Sequence, residues 1–369
     1  MPKYLFVKQL ITDRLRDMAE GEALPTMAGL QVDYGVSLGT VNRAIRELDT
    51  EGLVDVRQGS GIYATGYQRT LQIAICFPYD VLSPEAGAYP RLLLGGLGHR
   101  ESALRDVTCR HYFHAGSGLH WHDKYDLLKQ DIRAHMVDAV IGIGMYSPQL
   151  GDLHVPVVGL HNLPHVTSRV LLDYVDLVRQ SVRLLAARGC RRLAYVGSHH
   201  DQLPAEDDST YTVATEHEDA RRAFLAEVKR LGLETAPPWI QGVHDQGGKT
   251  VTKTQAAGER AIEQMAIAAG LAPDGIVSTD DHLSHGICRA LQRAGLAVGR
   301  DIQLASHANS GDSALDPHTV HLLEFDPDEV AHALLQTARD LAAGHQDVPP
   351  FTHIKAKVAD TCPPHTQTP

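Results

Sequence analysis

The sequence predicts two parts: a small, mainly helical N-terminal unit with a helix-turn-helix layout and a β-hairpin wing, and a large α/β unit built on parallel sheet. Three observations carry this. Apolar residues at helical spacing, punctuated by capping residues and glycines, fill residues 3–52. Two short β-like runs around a Gly-rich junction follow at 53–64. From 71 to 358, buried-strand runs alternate with helical stretches.

Val7, Leu10, Ile11, Leu15 and Met18 share one helical face, and Gly21 can end that helix. Pro25-Thr26 opens a second helix with Thr26 as N-cap, closed by Gly35. Ser37 caps a third over 38–49, with Val41, Ala44, Ile45 and Leu48 on one face. Only Gly35 and Val36 separate that cap from the preceding helix, which is the helix-turn-helix spacing. Residues 53–56 and 62–64 then pair across Arg57-Gln58-Gly59-Ser60-Gly61, the wing. The polar stretch 67–70 is a linker between a domain at 1–66 and one at 71–362. In the second domain, strands are expected at 71–77, 139–144, 155–160, 170–173, 193–197, 275–278 and 302–305. Helices are expected at 90–103, 122–135, 175–188, 218–231, 256–269, 282–294 and 328–343.

A chain of 369 residues has room for two or three domains at roughly 100–200 residues each. Its longest apolar stretches, such as 139–145, are too short for a membrane span, and residues 1–11 carry no secretory-signal pattern. Five scattered cysteines (76, 109, 190, 288, 362) fit neither a disulfide framework nor a zinc finger and suit a reducing cytoplasm. The net charge of −11 disfavours nonspecific nucleic-acid binding by the chain as a whole, so any DNA contact must be local. Histidines cluster at 111, 114, 120, 122, 199 and 200, but no Cys or carboxylate completes a metal set. No metal, no cofactor and no catalysis are expected, because no nucleophile elbow, phosphate loop or dinucleotide fingerprint occurs.

Residues 3–64 resemble the GntR-type winged helix-turn-helix through Leu24-Pro25-Thr26, Gly35-Val36-Ser37, Thr40-Val41, Ala44-Ile45, Leu48, Glu51-Gly52-Leu53-Val54 and the 57–61 wing. The resemblance implies operator DNA as partner, met by Thr26, Ser37, Gly39, Thr40, Asn42, Arg43 and Arg46 and by Gln58, Gly59 and Ser60 of the wing. The residue chemistry agrees: Arg suits guanine edges or phosphate, Asn adenine edges, Thr a phosphate or a thymine methyl. Family members usually carry Arg at the positions of Ala28 and Leu38, and often at Asn42. Residues 1–64 hold seven Lys/Arg against nine Asp/Glu. Weak, salt-sensitive binding per monomer is therefore expected, made useful by a homodimer on a two-fold site.

Residues 71–362 resemble the LacI-type sensor domain, related to periplasmic sugar-binding proteins. The resemblance is carried by Ala139-Val140-Ile141, Pro156-Val157-Val158, Asp173, the run 191–197, the run 273–277, Asp281, Gly286, Gly295, Asp301-Ile302 and Leu315-Asp316-Pro317. It implies a type I periplasmic-binding-protein-like fold of two α/β lobes, about 71–161 plus 292–322 and 162–291 plus 323–358, crossing near 160–165, 287–295 and 320–325. It also implies an effector, a sugar or derivative, in the cleft at the strands' carboxyl ends. The positions carried over are Tyr89, Arg91, His161, Asp173, Arg221, Gln246, Asp281 and Asn309. Ala220 stands where the family has an arginine clamp, so Arg221 enters by a one-residue slip. The expectation is a cytoplasmic, ligand-responsive transcriptional repressor; the alternative is a ligand-sensing protein-interaction module with a drifted winged helix.

Overall fold

The computed structural model describes residues 3–15, 18–66, 70–114, 121–145, 151, 153–161, 165–198, 211–243, 250–265, 272–311 and 315–360. Two units form: Met1–Leu71 with Arg105–Val107, and Gln72–Leu104 with Thr108–Pro369.

The first unit contains α1 (Lys3–Leu15), α2 (Met27–Tyr34), α3 (Leu38–Thr50), β1 (Val54–Arg57) and β2 (Gly61–Ala64). Val41, Ala44, Ile45 and Leu48 are buried because they recur every three or four residues, putting one stripe of α3 against Val7, Ile11 and Leu30. Thr26 caps α2 by accepting from the Gly29 amide, and Ser37 caps α3 by accepting from the Thr40 amide. Gly35 ends α2 at φ +62°, in the left-handed region where glycine is unstrained. Met18 is no longer helical, so the first helix ends short of the expected Gly21, whose amide bonds the Ala64 carbonyl and ties the chain to the wing. β1 and β2 pair antiparallel from Val54↔Ala64 to Arg57↔Gly61.

The second unit holds two six-stranded sheets. The first is ordered β13-β7-β6-β5-β3-β4, with β3 (Leu71–Asp80), β4 (Val107–His114), β5 (Ala139–Gly142), β6 (Val157–Leu160), β7 (Ser168–Leu172) and β13 (Phe351–Ile354). The second is ordered β14-β12-β11-β10-β8-β9, with β8 (Leu193–Ser198), β9 (Ile240–Val243), β10 (Gly275–Ser278), β11 (Gln303–Asn309), β12 (His321–Phe325) and β14 (Lys357–Val358). Each order runs second, first, third, fourth, fifth in chain sequence, the doubly wound pattern whose switch point opens a crevice at the strands' carboxyl ends. Only the short β14 runs antiparallel among the registered pairs.

Helices α4 (Tyr89–Ser102), α5 (Trp121–Arg133) and α10 (Pro327–Ala342) belong with the first sheet. Helices α6 (Tyr174–Ala187), α7 (Tyr211–Arg230), α8 (Val251–Gln264) and α9 (Asp281–Arg293) belong with the second. Alternation along β11 sets the two faces of that sheet: Ser306 bonds Ser284 of α9 at 2.7 Å, while His307 packs on Tyr174 of α6 with ring centroids 5.8 Å apart.

The lobe boundaries differ from expectation. The chain passes between sheets at Asp173, at Asp326 and at Lys355-Ala356; the crossing expected near 320–325 falls one residue further on, while none lies near 160–165 or 287–295. Residues 292–322 stay with the second sheet, because β11 and β12 extend it beyond β10. Residues 327–354 return to the first sheet. There α10 buries Val330, Ala331, Leu334 and Leu335, and Asp328 takes a forked contact from Arg100 of α4. A buried apolar run does not say which of two sheets it joins.

Two outcomes follow for stability. Helices α8 and α9 cross so closely that a Cβ on Gly286 would stand 1.9 Å from the Gln255 carbonyl oxygen. Gly286→Ala should lower unfolding free energy by about 1–3 kcal/mol in urea titration, through overpacking against backbone; an unchanged midpoint would refute that crossing. His321 is buried with Nε2 donating to the Gln303 amide oxygen at 2.9 Å, and burial, aided by Arg188, pulls it down to about 4. It stays neutral in the fold while the unfolded chain protonates near the ordinary histidine value. Its contribution is intact above pH 6.5 and is lost as pH falls toward 4. Denaturant titrations at pH 7 and 5 should show His321→Gln losing roughly 2 kcal/mol less than the parent over that interval.

Candidate functional site

In the first unit the leading end of α3 is open. Ser37, Leu38 and Gly39 are exposed, and nothing lies within 4 Å of where a Gly39 Cβ would stand. The hydroxyls expected to meet a ligand serve the helices as well: Thr26 and Ser37 accept from backbone amides, and Thr40 Oγ1 lies 2.9 Å from Ser37 Oγ. Arg46 Nε donates to Asn42 Oδ1 at 3.3 Å, so these two residues share one face of α3. Arg43 leans away from them, with its guanidinium 3.7 Å from the centroid of Tyr4 on α1 and its Nε 3.7 Å from Glu47. At the wing, Gln58, Gly59 and Ser60 form an exposed tip, and Gly59 adopts φ +76°. Ser60 Oγ lies 2.8 Å from the Tyr63 hydroxyl, and Arg57 pairs with Asp55 at 2.8 Å while covering the Tyr63 ring.

In the second unit the carboxyl ends of the two sheets bring a polar cluster together. His161 follows β6 in the left-handed region at φ +72°, an uncommon conformation for a side-chain-bearing residue that is enriched at ligand clamps. Its Nδ1 lies 3.0 Å from Glu216 Oε2 of α7, a contact from the first lobe to the second. The loop after β3 makes another such contact: Thr252 Oγ1 donates to Glu85 Oε1 at 3.1 Å. The same loop brings Gly87 so near His282 that a Cβ there would stand 2.9 Å from Nε2. Tyr174, at the start of α6, packs edge-on against Phe325 at 5.5 Å. Burial pushes its phenol well up, helped by the Glu216, Asp280 and Asp281 carboxylates and the Tyr89 phenol.

Asp280 and Asp281 divide two roles that adjacent carboxylates could share. Asp280 caps α9, accepting from the Leu283 amide at 3.0 Å. Asp281 is the first helical residue, mostly buried, and accepts a short-range hydrogen bond from the His282 amide at 2.8 Å. Burial and the neighbouring Asp280 raise its carboxyl, while His307 and His282 pull it down. Asn309, at the end of β11, is 6% exposed, and its Oδ1 has no hydrogen-bond partner among the described residues.

The structure brings His161, Tyr89 and Asp281 into this region. Three other expected positions are otherwise engaged. Arg221 forks onto Glu218 at 2.8 and 2.7 Å and holds that carboxyl at about 2, so the slipped position does not leave a free clamp. Asp173 caps α6 at 2.9 Å from the Asp176 amide, because it sits where the chain leaves the first sheet. Arg91 is exposed and donates to the Ser83 carbonyl at 3.3 Å. Gln246 lies outside the described residues. Glu216, Tyr174, Asp280 and His307 were missed. The helix was expected to begin at Glu218 and is already helical at Tyr211, which put Glu216 out of view.

Comparison with known proteins fits both units. Residues 3–64 match the family "Bacterial regulatory proteins, gntR family", and residues 182–359 match the "Periplasmic binding protein-like domain". The mannosyl-D-glycerate transport/metabolism system repressor MngR of Escherichia coli is 41% identical over 59 residues, 14% of this chain and 25% of that protein. Catabolite control protein A of Staphylococcus xylosus is 24% identical over 216 residues, 56% of this chain and 59% of that protein. The chain thus spans less than two thirds of either relative. Among solved structures, a transcriptional regulator CelR–cellobiose complex shares the fold with a TM-score of 0.59 at 17% identity, covering 91% of this chain and 98% of that one.

The division between the two aspartates can be measured. Asp280→Ala should destabilise the second unit by about 1 kcal/mol in thermal melts, through loss of the cap. Asp281→Ala should leave the melting temperature unchanged or higher, because it removes a desolvated carboxylate. Equal losses from both would contradict the assignment.

Proposed function

We propose that the chain, whose residues 3–64 match the gntR family of bacterial regulatory proteins and whose residues 182–359 match a periplasmic binding protein-like domain, is a ligand-responsive transcriptional repressor. It binds operator DNA as a homodimer in the cytoplasm, and a sugar or sugar derivative bound between the two sheets relieves repression. The observation that carries this is one chain holding both an exposed, Ser37-capped helix end in a helix-turn-helix and a polar cluster at the carboxyl ends of two doubly wound sheets. The relatives support it: one is a repressor of a mannosyl-D-glycerate system, and one structure is a cellobiose complex. Among the described residues no helix is long and apolar enough to cross a membrane.

Asp281, His161, Tyr89 and Asn309 are the proposed effector contacts, joined by Glu216, Tyr174 and His307. Carboxylates and amides accept from sugar hydroxyls, and the aromatic rings supply an apolar wall. On the DNA side, Gly39, Asn42 and Arg46 with the wing tip Gln58-Gly59-Ser60 are the proposed contacts; Thr26, Ser37, Thr40 and Arg43 have structural work as well. Ligand that contacts both lobes favours the arrangement in which those contacts coexist. The resulting coupling to DNA affinity is about 1–3 kcal/mol.

A second reading, a ligand-sensing interaction module with no duplex partner, is favoured by the ion pairs that occupy Lys8, Arg14, Arg43 and Arg57. A gel-shift screen on the promoter of the protein's own operon, with and without a panel of sugars, separates the two. Repression predicts a retarded duplex that one sugar releases, and Asp281→Ala that still binds the duplex but ignores the sugar. A sugar-dependent thermal shift with no retarded duplex would instead establish the second reading.

A further inference from the structure

Resting on the duplex-reading function above, we propose that Leu38 is a sequence discriminator: it recognises thymine by packing on the C5 methyl group in the major groove. Val41, Ala44, Ile45 and Leu48 of α3 are at most 1% exposed, whereas Leu38 is 50% exposed. Leu38, Val41 and Ile45 succeed one another at three and four residues, so Leu38 continues the apolar stripe beyond the edge of the core. It leaves the domain at the leading end of the helix, between the exposed Ser37 and Gly39. A lone exposed leucine means little on an ordinary surface. Here it stands at the end that a helix-turn-helix inserts into the major groove, where N-terminal residues meet base edges. The thymine methyl is the apolar group that this groove presents.

The cations nearby point the same way. Guanine is read by an arginine that gives both its donors to one base edge. Arg43 is engaged by Tyr4 and Glu47, Arg46 by Asn42, and Arg57 by Asp55 and Tyr63. Arg43 and Arg57 would have to leave their partners to reach guanine, and Arg46 is held through its Nε by Asn42, whereas Leu38 releases nothing to cover a methyl group. Asn42, four residues along α3, carries the amide that suits adenine, and its Oδ1, which accepts from Arg46, has a second lone pair for the base. The leading end of α3 therefore matches A·T pairs.

The test begins with duplexes selected by the full-length protein from a random pool. The best duplex is resynthesised with each thymine in turn replaced by uracil, which removes only the methyl group. At one thymine per half-site, wild-type affinity should fall about fourfold, the worth of one buried methyl. Leu38→Ala should bind the parent duplex more weakly and be indifferent to that same replacement, with an unchanged melting temperature. Selection of a motif at which no thymine methyl matters, or undiminished methyl sensitivity in Leu38→Ala, overturns the inference and leaves the proposed function standing. If no sequence is enriched at all, both fall.

Discussion

The second unit depends on where the chain passes between its two sheets. Among the described residues these passages are single-stranded and lie at Asp173, Asp326 and Lys355-Ala356. Two of them are also helix starts: Asp173 caps α6 and Asp326 caps α10. A side-chain carboxylate that satisfies an orphan backbone amide fixes the direction in which the next helix departs. The passages also hold one another. The Asp173 amide bonds the Ile354 carbonyl at 2.9 Å, and Gln180 Nε2 reaches the Ala356 carbonyl at 3.1 Å. With so few covalent links, contacts such as His161–Glu216 and Glu85–Thr252 carry weight in setting how the carboxyl ends face each other. A solute bound among those side chains would compete with them directly, which is how binding energy becomes a difference between two arrangements.

Electrostatics in the first unit work against simple attraction to a polyanion. Lys8 is shared by Glu47 and Glu51, and Arg14 faces Asp33. Such exposed pairs contribute little to stability, but they keep the guanidinium and ammonium groups satisfied in the absence of DNA. Phosphate binding draws its strength from cations that displace counterions. A reader whose cations are already engaged must draw more of its selectivity from shape, amides and apolar contact, and that is the character of the exposed end of α3.

The sequence made the small unit legible almost residue by residue. Its caps Thr26 and Ser37, its turn glycine Gly35 and its buried stripe on α3 are local features, and local chemistry decides them. The sheets were legible as a class but not as an assignment. Periodicity announces a buried strand at 302–305 without saying which sheet receives it, and the short edge strands β9, β13 and β14 carry too little apolar signal to stand out. Of the cluster at the carboxyl ends, Asp281 was legible through the family resemblance, which places an aspartate between a buried strand and the next helix. Glu216 and His307 were not, since their roles come from partners distant in sequence, His161 and Tyr174.

A solute held between two sheets and a duplex held by a capped helix end are worth joining in one account only if each binding event alters the other. Linkage makes that exchange symmetrical: whatever factor the solute imposes on duplex affinity, the duplex must impose on solute affinity. The most direct measurement is calorimetric titration of the protein with whichever sugar the gel-shift screen selects, alone and again with the selected duplex at saturation. Sugar binding should be weakened by the same factor by which the sugar weakens duplex binding, about 5- to 150-fold. Identical sugar affinity in the two titrations would contradict it.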